Sequence, residues 1–334
     1  MPSAEICDRA RKARDPRFDG LFFTAVKTTG IYCRPLCPAP APKPHNIRYF
    51  PTAAAAAAAG YRPCLRCRPE LSPDAWTRGS NDAVQRALSL IADGALQESS
   101  IEALAERVGI GSRQLRRLFL ARTGATPIAV HSTRRLLMAK QLLTETSMPV
   151  IEVALASGFN SLRRFNAAFR EGCGMPPTAI RRLNPQIPAG SMSLRLGYRP
   201  PFDFGAVLAF LARRAIPGVE RVTDASYERL IGASTWLRVT AHAQRPELLL
   251  ELSDADPRAI PDIVRRVRRV FDLDADLATV HAVFEGAPLL AGAVRRRPGL
   301  RVPGGWDGFE VALRAVLGQQ VSVAGATTLA RRLV

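Results

Sequence analysis

Four cysteines near the start of the chain have the spacing of a metal site. Cys33 and Cys37 form one close pair, and Cys64 and Cys67 form a second pair after a longer loop. Each pair can supply two ligands from one turn, and the loop can bring the pairs together around a tetrahedral ion. Thiolates favour zinc over magnesium or calcium, and an iron–sulfur cluster is the alternative that remains open. We therefore predict a Zn²⁺ ion bound by these four side chains.

A zinc ion held by four thiolates can either stabilise a fold or take part in chemistry. The thiolate charges exceed the charge of the ion, so the site is formally anionic and its sulfur atoms stay deprotonated and electron-rich. Such a sulfur atom can attack an alkyl carbon, although most closed sites of this kind are structural. The spacing alone leaves both roles open.

The residues around the cysteines predict the elements that hold them in place. Seven consecutive alanines, Ala53 to Ala59, favour a short helix, and Gly60 suits the position after its end. Pro35 and Pro63 restrict the two cysteine turns. Cys7 lies outside the quartet, and we assign it no role.

The whole chain is basic. Its 334 residues carry a formal charge of +18, and the excess of Arg and Lys is spread over residues 1–78, 79–185 and 186–334. This distribution fits a chain that meets a polyanion along its length, although an arginine-rich composition without a functional reason is the alternative. We find no apolar run of about 18 residues that could span a membrane and no signal peptide, which predicts a cytoplasmic protein.

Residues 79–185 contain an internal repeat. The capping box Ser99-Ser-Ile-Glu102 opens a short helix that runs to Val108, and a second helix follows the turn Gly109-Ile-Gly111 and is capped by Ser112. A second copy starts at Pro149. The matched positions are Ala105 with Ala154, Gly109 with Gly158, Leu115 with Phe165, Phe119 with Phe169, Gly124 with Gly174, and Pro127 with Pro177. Two helix–turn–helix units explain the repeat, joined by a helix from Val130 to Leu143.

The second helix of each unit carries side chains that make base contacts in the major groove. We place Leu115, Leu118 and Phe119 on the apolar side of the first, and Leu162, Phe165 and Phe169 on that of the second. The residues predicted to contact DNA from the other sides are Arg113, Gln114, Arg116, Arg117, Arg163, Arg164 and Asn166. Helical repeats that serve only as scaffold are the alternative.

The last part of the chain alternates between strand and helix patterns. After a predicted linker at residues 185–190, residues 192–196 suggest a strand, and residues 236–242 and 247–252 suggest a hairpin. Helices are predicted over residues 203–214, over residues 260–271, and again after residue 306. The second of these is amphipathic and should expose Arg265, Arg266, Arg268 and Arg269.

The cysteine-containing region is very similar to the N-terminal domain of the Ada family. The resemblance rests on Phe18-Asp-Gly-Leu-Phe-Phe-Thr-Ala-Val-Lys-Thr-Thr-Gly-Ile-Tyr-Cys-Arg-Pro-Leu-Cys37 and on Ala59-Gly-Tyr-Arg-Pro-Cys-Leu-Arg-Cys-Arg-Pro-Glu70. It implies irreversible transfer of a methyl group from a DNA methylphosphotriester to Cys33, the first of the four ligands. The arginines that flank the ligands are predicted to hold phosphate, with a solvated basic surface as the alternative; they are Arg34, Arg62, Arg66 and Arg68.

Methylation would turn one thiolate into a neutral thioether and remove one negative charge from the metal site. A less anionic site is repelled less by phosphate. We therefore hypothesise that methylation strengthens DNA binding by the whole chain.

Two further resemblances extend to the rest of the chain. The repeat, with Gly-Phe-x-Ser in its second unit and Gly-x-x-Pro closing both, resembles the AraC-type DNA-binding domain. In this order it implies an activator of alkylation-repair genes, with double-stranded DNA and RNA polymerase as partners. The stretches Leu196-Gly-Tyr-Arg-Pro-Pro-Phe-Asp203, Arg295-Arg-Arg-Pro-Gly-Leu-Arg-Val-Pro-Gly304 and Leu317-Gly-Gln-Gln-Val-Ser-Val-Ala324 look like the AlkA family of 3-methyladenine DNA glycosylases.

Together these features predict a multidomain α+β chain. We expect a small zinc-binding α/β domain over residues 1–78 and an all-α double helix–turn–helix over 79–185. A glycosylase-type N-terminal α+β domain over 191–300 and the first helices of an incomplete helical domain over 301–334 should follow. The resemblance places a helix-hairpin-helix and a catalytic aspartate beyond Val334, so we expect a fragment or the product of a shortened gene, without base-excision activity.

The leading functional interpretation is a single-turnover methyltransferase that also activates transcription after alkylation damage, in the cytoplasm and at the nucleoid. A transcription regulator with a purely structural zinc ion is one alternative. An alkylbase DNA glycosylase that its front domains deliver to DNA is the other.

Overall fold

The computed structural model describes residues 1–75, 82–183, 190, 192–232 and 234–334. The chain divides into a first unit, Met1–Ser191, and a second unit, Met192–Val334. Within the first unit we call residues 1–75 the cysteine segment and residues 82–183 the helical segment. The predicted boundary after residue 78 and residues 185–189 of the predicted linker lie outside the described ranges.

The cysteine segment is built on a four-stranded sheet in the order β3-β1-β2-β4. Strand β1 is antiparallel to β2 and β3, whereas β2 and β4 run parallel. The alanine run forms a helix as predicted: Thr52 caps its start, and Gly60, with a φ of +87°, follows its end. The elements are α1 (Ala4–Ala13), β1 (Phe23–Val26), β2 (Ile31–Cys33), β3 (Ile47–Phe50), α2 (Ala53–Ala58) and β4 (Arg62–Pro63).

The helical segment contains the two predicted helix–turn–helix units, α5–α6 and α8–α9, joined by the long helix α7. Its helices are α3 (Ala83–Ala92), α4 (Ala95–Glu98), α5 (Ile101–Arg107), α6 (Ser112–Thr123), α7 (Pro127–Glu145), α8 (Val150–Ala156), α9 (Leu162–Cys173) and α10 (Pro177–Arg182). The matched glycines share a left-handed backbone: φ is +79° and +78° in the turns at Gly109 and Gly158, and +70° and +72° at Gly124 and Gly174. The repeat seen in the sequence is therefore a repeat of structure.

The helix starts differ slightly from the prediction. Ser100, not Ser99, caps α5, by accepting a hydrogen bond from the Ala103 amide (3.2 Å). Ser112 is the first residue of α6 rather than its cap. Leu162, at the first position of α9, is 39% exposed and does not belong to the buried side. Periodicity identifies the buried face of a helix but not the residue at which it begins.

The second unit is built on a five-stranded antiparallel sheet in the order β5-β9-β8-β7-β6. Strand β5 and the β8–β9 hairpin confirm the strand predictions, and alternate residues of these strands are buried. The strands are β5 (Ser193–Gly197), β6 (Glu220–Val222), β7 (Ser226–Ile231), β8 (Thr235–Ala241) and β9 (Glu247–Leu252). The helices are α11 (Phe204–Ala212), α12 (Ile260–Val270), α13 (Leu277–Glu285), α14 (Pro288–Arg296), α15 (Gly308–Leu317) and α16 (Val323–Arg331).

The four arginines of α12 are not exposed as predicted, because each is half-buried against acceptors. Asp262 pairs with Arg265 and Arg266, and Asp274 pairs with Arg268. The backbone carbonyls of Gly305 and Trp306, far along the chain, accept from Arg269. Beside them the buried ring of Trp306 lies between two guanidinium groups, 4.6 Å from that of Arg229 and 5.4 Å from that of Arg266.

No residue of α15 is fully buried, although Leu313 and Leu317 are half-buried. Within the described ranges, no helix combines the length and the apolar character needed to cross a membrane.

Candidate metal centre

Two parallel strands bring the four cysteines to one place. Cys33 is the last residue of β2, and Cys64 directly follows β4. These strands pair at Tyr32 and Pro63, so they end at the same edge of the sheet, and the two cysteine turns leave it side by side. A hydrogen bond from the Cys64 amide to the Tyr32 carbonyl (3.0 Å) continues the pairing as far as the first ligand of the second turn.

The geometry of the quartet fits zinc. All four Sγ atoms lie within 4.8 Å of one another, and those of Cys37 and Cys64 are 4.0 Å apart. A tetrahedral ion with Zn–S bonds of about 2.3 Å places its sulfur ligands about 3.8 Å from each other. Elsewhere in the described ranges, no group of three or more His, Cys, Asp or Glu side chains is gathered in this way. Cys33, Cys37, Cys64 and Cys67 therefore form a closed site with the donor set that zinc prefers.

The other two cysteines are unsuited to this chemistry. Cys7 and Cys173 are buried among other side chains. Burial raises the pKa of the Cys7 thiol to about 11 and that of the Cys173 thiol to about 12, so both stay protonated near neutral pH. A thiol is a far weaker nucleophile than a thiolate. Cys7 and Cys173 are therefore packed small residues and not candidate nucleophiles.

Two of the four ligands are buried and hydrogen-bonded. The sulfur of Cys64 accepts the backbone amide of Arg66 (3.4 Å), and that of Cys67 accepts the backbone amide of Arg34 (3.3 Å). A donor at a thiolate stabilises its charge and reduces its tendency to share electrons with another partner.

The other two ligands, Cys33 and Cys37, are half-buried. The backbone amide of Ala39 hydrogen-bonds to Cys37. Cys33 and Cys37 are therefore the two sulfur ligands of the site that solvent can reach.

The prediction that Arg34 holds phosphate does not fit the structure. Its side chain is only 5% exposed and forms an ion pair with the equally buried Asp19, with Nε 2.9 Å from Oδ1. It also donates to the Cys67 carbonyl (3.1 Å), and Ser72 donates to Asp19 (3.0 Å). Arg34 thus ties the first cysteine turn to the second. Its position next to a ligand did not reveal this, because the inward direction depends on a buried carboxylate elsewhere in the sequence.

The prediction that Arg68 holds phosphate does not fit the structure either, whereas Arg62 and Arg66 remain candidates for this role. The Arg68 side chain is 13% exposed and pairs with Glu70 (2.9 Å) and Glu145 (2.9 Å), so it faces the helical segment and not a ligand in solution. Arg66 is exposed beside the cysteines, and Arg62 is half-buried.

The side chains predicted to contact bases lie on the outer sides of α6 and α9. Six of the seven are exposed and Asn166 is half-buried; the exposed ones are Arg113, Gln114, Arg116, Arg117, Arg163 and Arg164. Arg116 lies 3.6 Å from Glu102, but both side chains are largely solvated, so this pairing is weak. The structure therefore gathers the four cysteines into one site and the side chains predicted to contact bases onto the outer faces of α6 and α9.

Asp19, Glu70 and Lys140 are functional-site neighbours that sequence reasoning missed. Glu70 and Lys140 are each only 1% exposed, and their charged atoms are 2.6 Å apart. The available signal was a lysine inside the mostly apolar helix α7, because a buried charge requires a partner. Its partner lies 70 residues away in the chain and cannot be identified without the fold.

Comparison with protein families divides the chain in the same order. Residues 6–70 match the family described as the metal binding domain of Ada, residues 104–183 match a helix-turn-helix domain, and residues 193–307 match the AlkA N-terminal domain.

The chain is also similar to individual proteins of known description. The chain is 42% identical over an alignment of 341 positions to the probable bifunctional transcriptional activator/DNA repair enzyme AlkA of Mycobacterium tuberculosis, covering 99% of this chain and 68% of that protein. It is 36% identical to the bifunctional transcriptional activator/DNA repair enzyme Ada of Escherichia coli, over 51% of this chain and 46% of that protein. It is 37% identical to the DNA-3-methyladenine glycosylase 2 of Escherichia coli, over 41% of this chain and 48% of that enzyme.

A thiolate site that fits zinc, next to paired helix–turn–helix units, defines a zinc-containing DNA-binding regulator of multidomain α+β architecture. The chain belongs to the family of bifunctional transcriptional activator/DNA repair enzymes of the Ada and AlkA type.

Proposed function

We propose that this chain removes methyl groups from DNA methylphosphotriesters by transferring them to Cys33, and that it activates transcription of repair genes in response. The observation that carries the proposal is the partial exposure of Cys33. It is one of the four gathered cysteines and is only half-buried, at the end of β2. Exposure lets a substrate approach, and four thiolates around one divalent ion leave the sulfur atom electron-rich.

The transfer is a simple displacement at carbon. An electron pair of Cys33 Sγ forms the S–C bond to the methyl group while the C–O bond to the phosphotriester breaks, and its electrons stay on the oxygen of a restored phosphodiester anion. Cys33, Cys37, Cys64 and Cys67 would hold the zinc ion, which would keep the Cys33 thiol deprotonated near neutral pH. No proton has to move, and the acceptor is used once because the product carries no leaving group.

Arg66 and Arg62 are the two arginines near the cysteines that we propose to attract the DNA backbone. Arg66 is exposed in the second cysteine turn, and Arg62 lies in β4, two residues before Cys64. Their charges favour an approaching phosphate, whereas Arg34 and Arg68 are already neutralised by buried carboxylates.

Intact-mass analysis tests the transfer. The zinc-loaded chain is incubated with a duplex that carries methylphosphotriesters, and one CH₂ should be gained per chain, mapping to Cys33. The matched variant Cys7→Ala, which removes a buried cysteine outside the quartet, should gain the same mass. Cys33→Ser should gain none.

A chain that holds stoichiometric zinc but never gains this mass would leave the second candidate function, a transcription regulator with structural zinc. The closed four-thiolate geometry favours that candidate, because structural sites are built this way.

We further propose that α6 and α9 read successive major-groove segments of double-stranded DNA, with RNA polymerase as the partner in activation at the nucleoid. Their outward arginines and the glutamine support this role, since these side chains suit bidentate base contacts. The match of the second unit to the AlkA N-terminal domain supports a link to alkylated-base repair, and the damaged-base chemistry of the whole protein stays a proposal.

A further inference from the structure

The cysteine segment contacts the helical segment at the ends of both proposed recognition helices. Helix α6 ends at Gly124 and α9 ends at Gly174, which are equivalent positions of the repeat. A Cβ atom at Gly124 would lie 2.9 Å from the Cβ of Ala55 in α2, and one at Gly174 would overlap the guanidinium of Arg62 in β4. Two neighbouring elements of the cysteine segment thus lie directly against the two equivalent helix ends.

A hydrogen bond reinforces the first of these contacts. Thr52 caps α2 by accepting from the Ala55 amide (3.0 Å), and the same hydroxyl donates to the Thr123 carbonyl at the end of α6 (2.8 Å). The start of α2 and the end of α6 therefore share one side chain.

A buried chain of charges links the second cysteine turn to α7, the helix that joins the two units. Arg68, next to the ligand Cys67, contacts Glu70 (2.9 Å) and Glu145 (2.9 Å), and it donates to the Thr144 hydroxyl (2.7 Å). Glu70 in turn accepts from Lys140 (2.6 Å). Glu145 and Lys140 lie about one turn apart on α7.

The charged groups of Arg68, Glu70 and Lys140 stabilise one another. Burial opposes the ionisation of Glu70, but Lys140 and Arg68 outweigh that effect and hold the pKa of Glu70 below its usual value. Breaking such a pair by removing one member leaves an uncompensated buried charge, which is strongly destabilising. The position of α7 is therefore sensitive to any change in the turn that carries Arg68 and Glu70.

We propose that the cysteine segment is an integral brace of the DNA-reading unit, and that metal in the cysteine turns stabilises α7 through Arg68, Glu70 and Lys140. Without the metal, nothing holds the four sulfur atoms together and the turn from Cys64 to Cys67 loses its constraint. Arg68 then no longer holds Glu70 against Lys140. As a result, the backbone hydrogen bonds of α7 break more often. This proposal rests on the proposed function only because it names α6 and α9 as recognition helices. It does not require methyl transfer.

Amide hydrogen exchange on the full chain, free of DNA, tests the proposal. Exchange is followed in peptides from residues 127–145, in the zinc-loaded chain and after a chelator has removed the metal. Removal should speed exchange in α7 by about tenfold or more, while the strands β8 and β9 of the second unit keep their rates.

The double variant Glu70→Gln with Lys140→Met removes both charges of the buried pair without stranding either one. It should still bind one zinc ion per chain, but chelation should now change exchange in α7 by less than about threefold. The matched control Glu228→Gln with Arg238→Met removes a pair of 2.8 Å between β7 and β8 and should keep the full tenfold effect.

Thr144→Val provides a milder second variant if the double variant does not fold. It removes only the hydroxyl that Arg68 contacts, and the chelation effect should fall by about half. Unchanged exchange in α7 of the natural chain after zinc removal would overturn the proposal. An undiminished chelation effect in a folded double variant, or in Thr144→Val, would equally overturn the route through these residues.

Discussion

At the scale of single residues, burial separates side chains that can meet a substrate from side chains that hold the site. Cys33 and Arg66 are open to solvent to different degrees, whereas Cys64, Cys67 and Arg34 are buried. The arginine that follows Cys33 directly is an internal tie, and an arginine in the other turn is the one free to face phosphate. Nearness in sequence to a ligand is therefore a poor guide to function here.

The ion pair between Arg34 and Asp19 should be a large contributor to stability. Arg34→Ala leaves Asp19 charged and buried, so we expect the free energy of unfolding to fall by about 3–5 kcal/mol in urea titrations at saturating zinc. The control Arg17→Ala removes a solvated pair with Asp15 and should cost less than about 1 kcal/mol. A loss from Arg34→Ala as small as that of the control would show that the pair is solvated.

His131 should make the chain less stable in mild acid. It is buried in α7, and burial together with the charges of Arg135 and Arg134 lowers its pKa to about 4 from the ordinary 6.5. Between these pH values the unfolded chain binds a proton that the folded chain does not, so stability falls as the pH falls from about 6.5 to about 4.

Urea titrations across this window measure the effect, and His131→Gln isolates it because carboxylates titrate in both chains. The natural chain should lose more stability on acidification than the variant. Parallel curves for the two chains would rule out a depressed pKa at His131.

At the scale of elements, parallel pairing of β2 with β4 is the feature that assembles the metal site. Strand β2 forms a hairpin with β1, and β4 follows a helix of alanines, yet both end at the same edge. The alanines of α2 are small enough for this helix to lie close to α7 and to Gly124. The sheet places the ligands, and α2 places the sheet against the helical segment.

The two recognition helices can be tested one at a time. Arg113→Ala and Arg163→Ala should each weaken binding to a DNA site selected from a random library by about 1–3 kcal/mol, and each should relax the preference at a different base pair. Arg213→Ala, an exposed arginine of the second unit, changes the charge equally and should leave the base preference intact. If both helix variants retained the natural preference at every position, α6 and α9 would not be the reading elements.

Patterns of short range predicted much of the fold. The alanine run, the matched glycines and the alternation in β8 and β9 depend on neighbouring residues, and each prediction is confirmed. Arg34 and Arg68 were misassigned because their partners, Asp19 and Glu145, lie far away in the sequence. A charged side chain is buried only where an oppositely charged partner lies close to it, and the position of that partner depends on the assembled fold. The acceptor role of Cys33 and the base contacts remain predictions.

At the scale of the whole molecule, the charge of +18 makes any change at the metal site a small part of a large attraction to DNA. Methylation of Cys33 would remove one negative charge from the cysteine turns, one of which carries the exposed Arg66. The change in DNA affinity on methylation should therefore depend on the distance between the metal site and the phosphates and on the salt concentration.

Methylation should tighten DNA binding in a salt-dependent way. The chain methylated at Cys33 is expected to bind a duplex several-fold more tightly than the unmethylated chain at low salt, with the difference shrinking as salt rises. Binding titrations at matched salt concentrations measure this, with a chain incubated with undamaged duplex as the control. Equal affinities at every salt concentration would contradict the charge hypothesis.

The two guanidinium groups around Trp306 also give the second unit an optical reporter. A buried indole that contacts cations should emit at shorter wavelength than the far more exposed Trp236, and with reduced intensity. When the unit unfolds, water replaces both cations and the emission of Trp306 should move to the red. In the variant Trp76→Phe, the remaining two tryptophans both lie in the second unit, so the melting of this half can be followed by its own fluorescence, without any added dye.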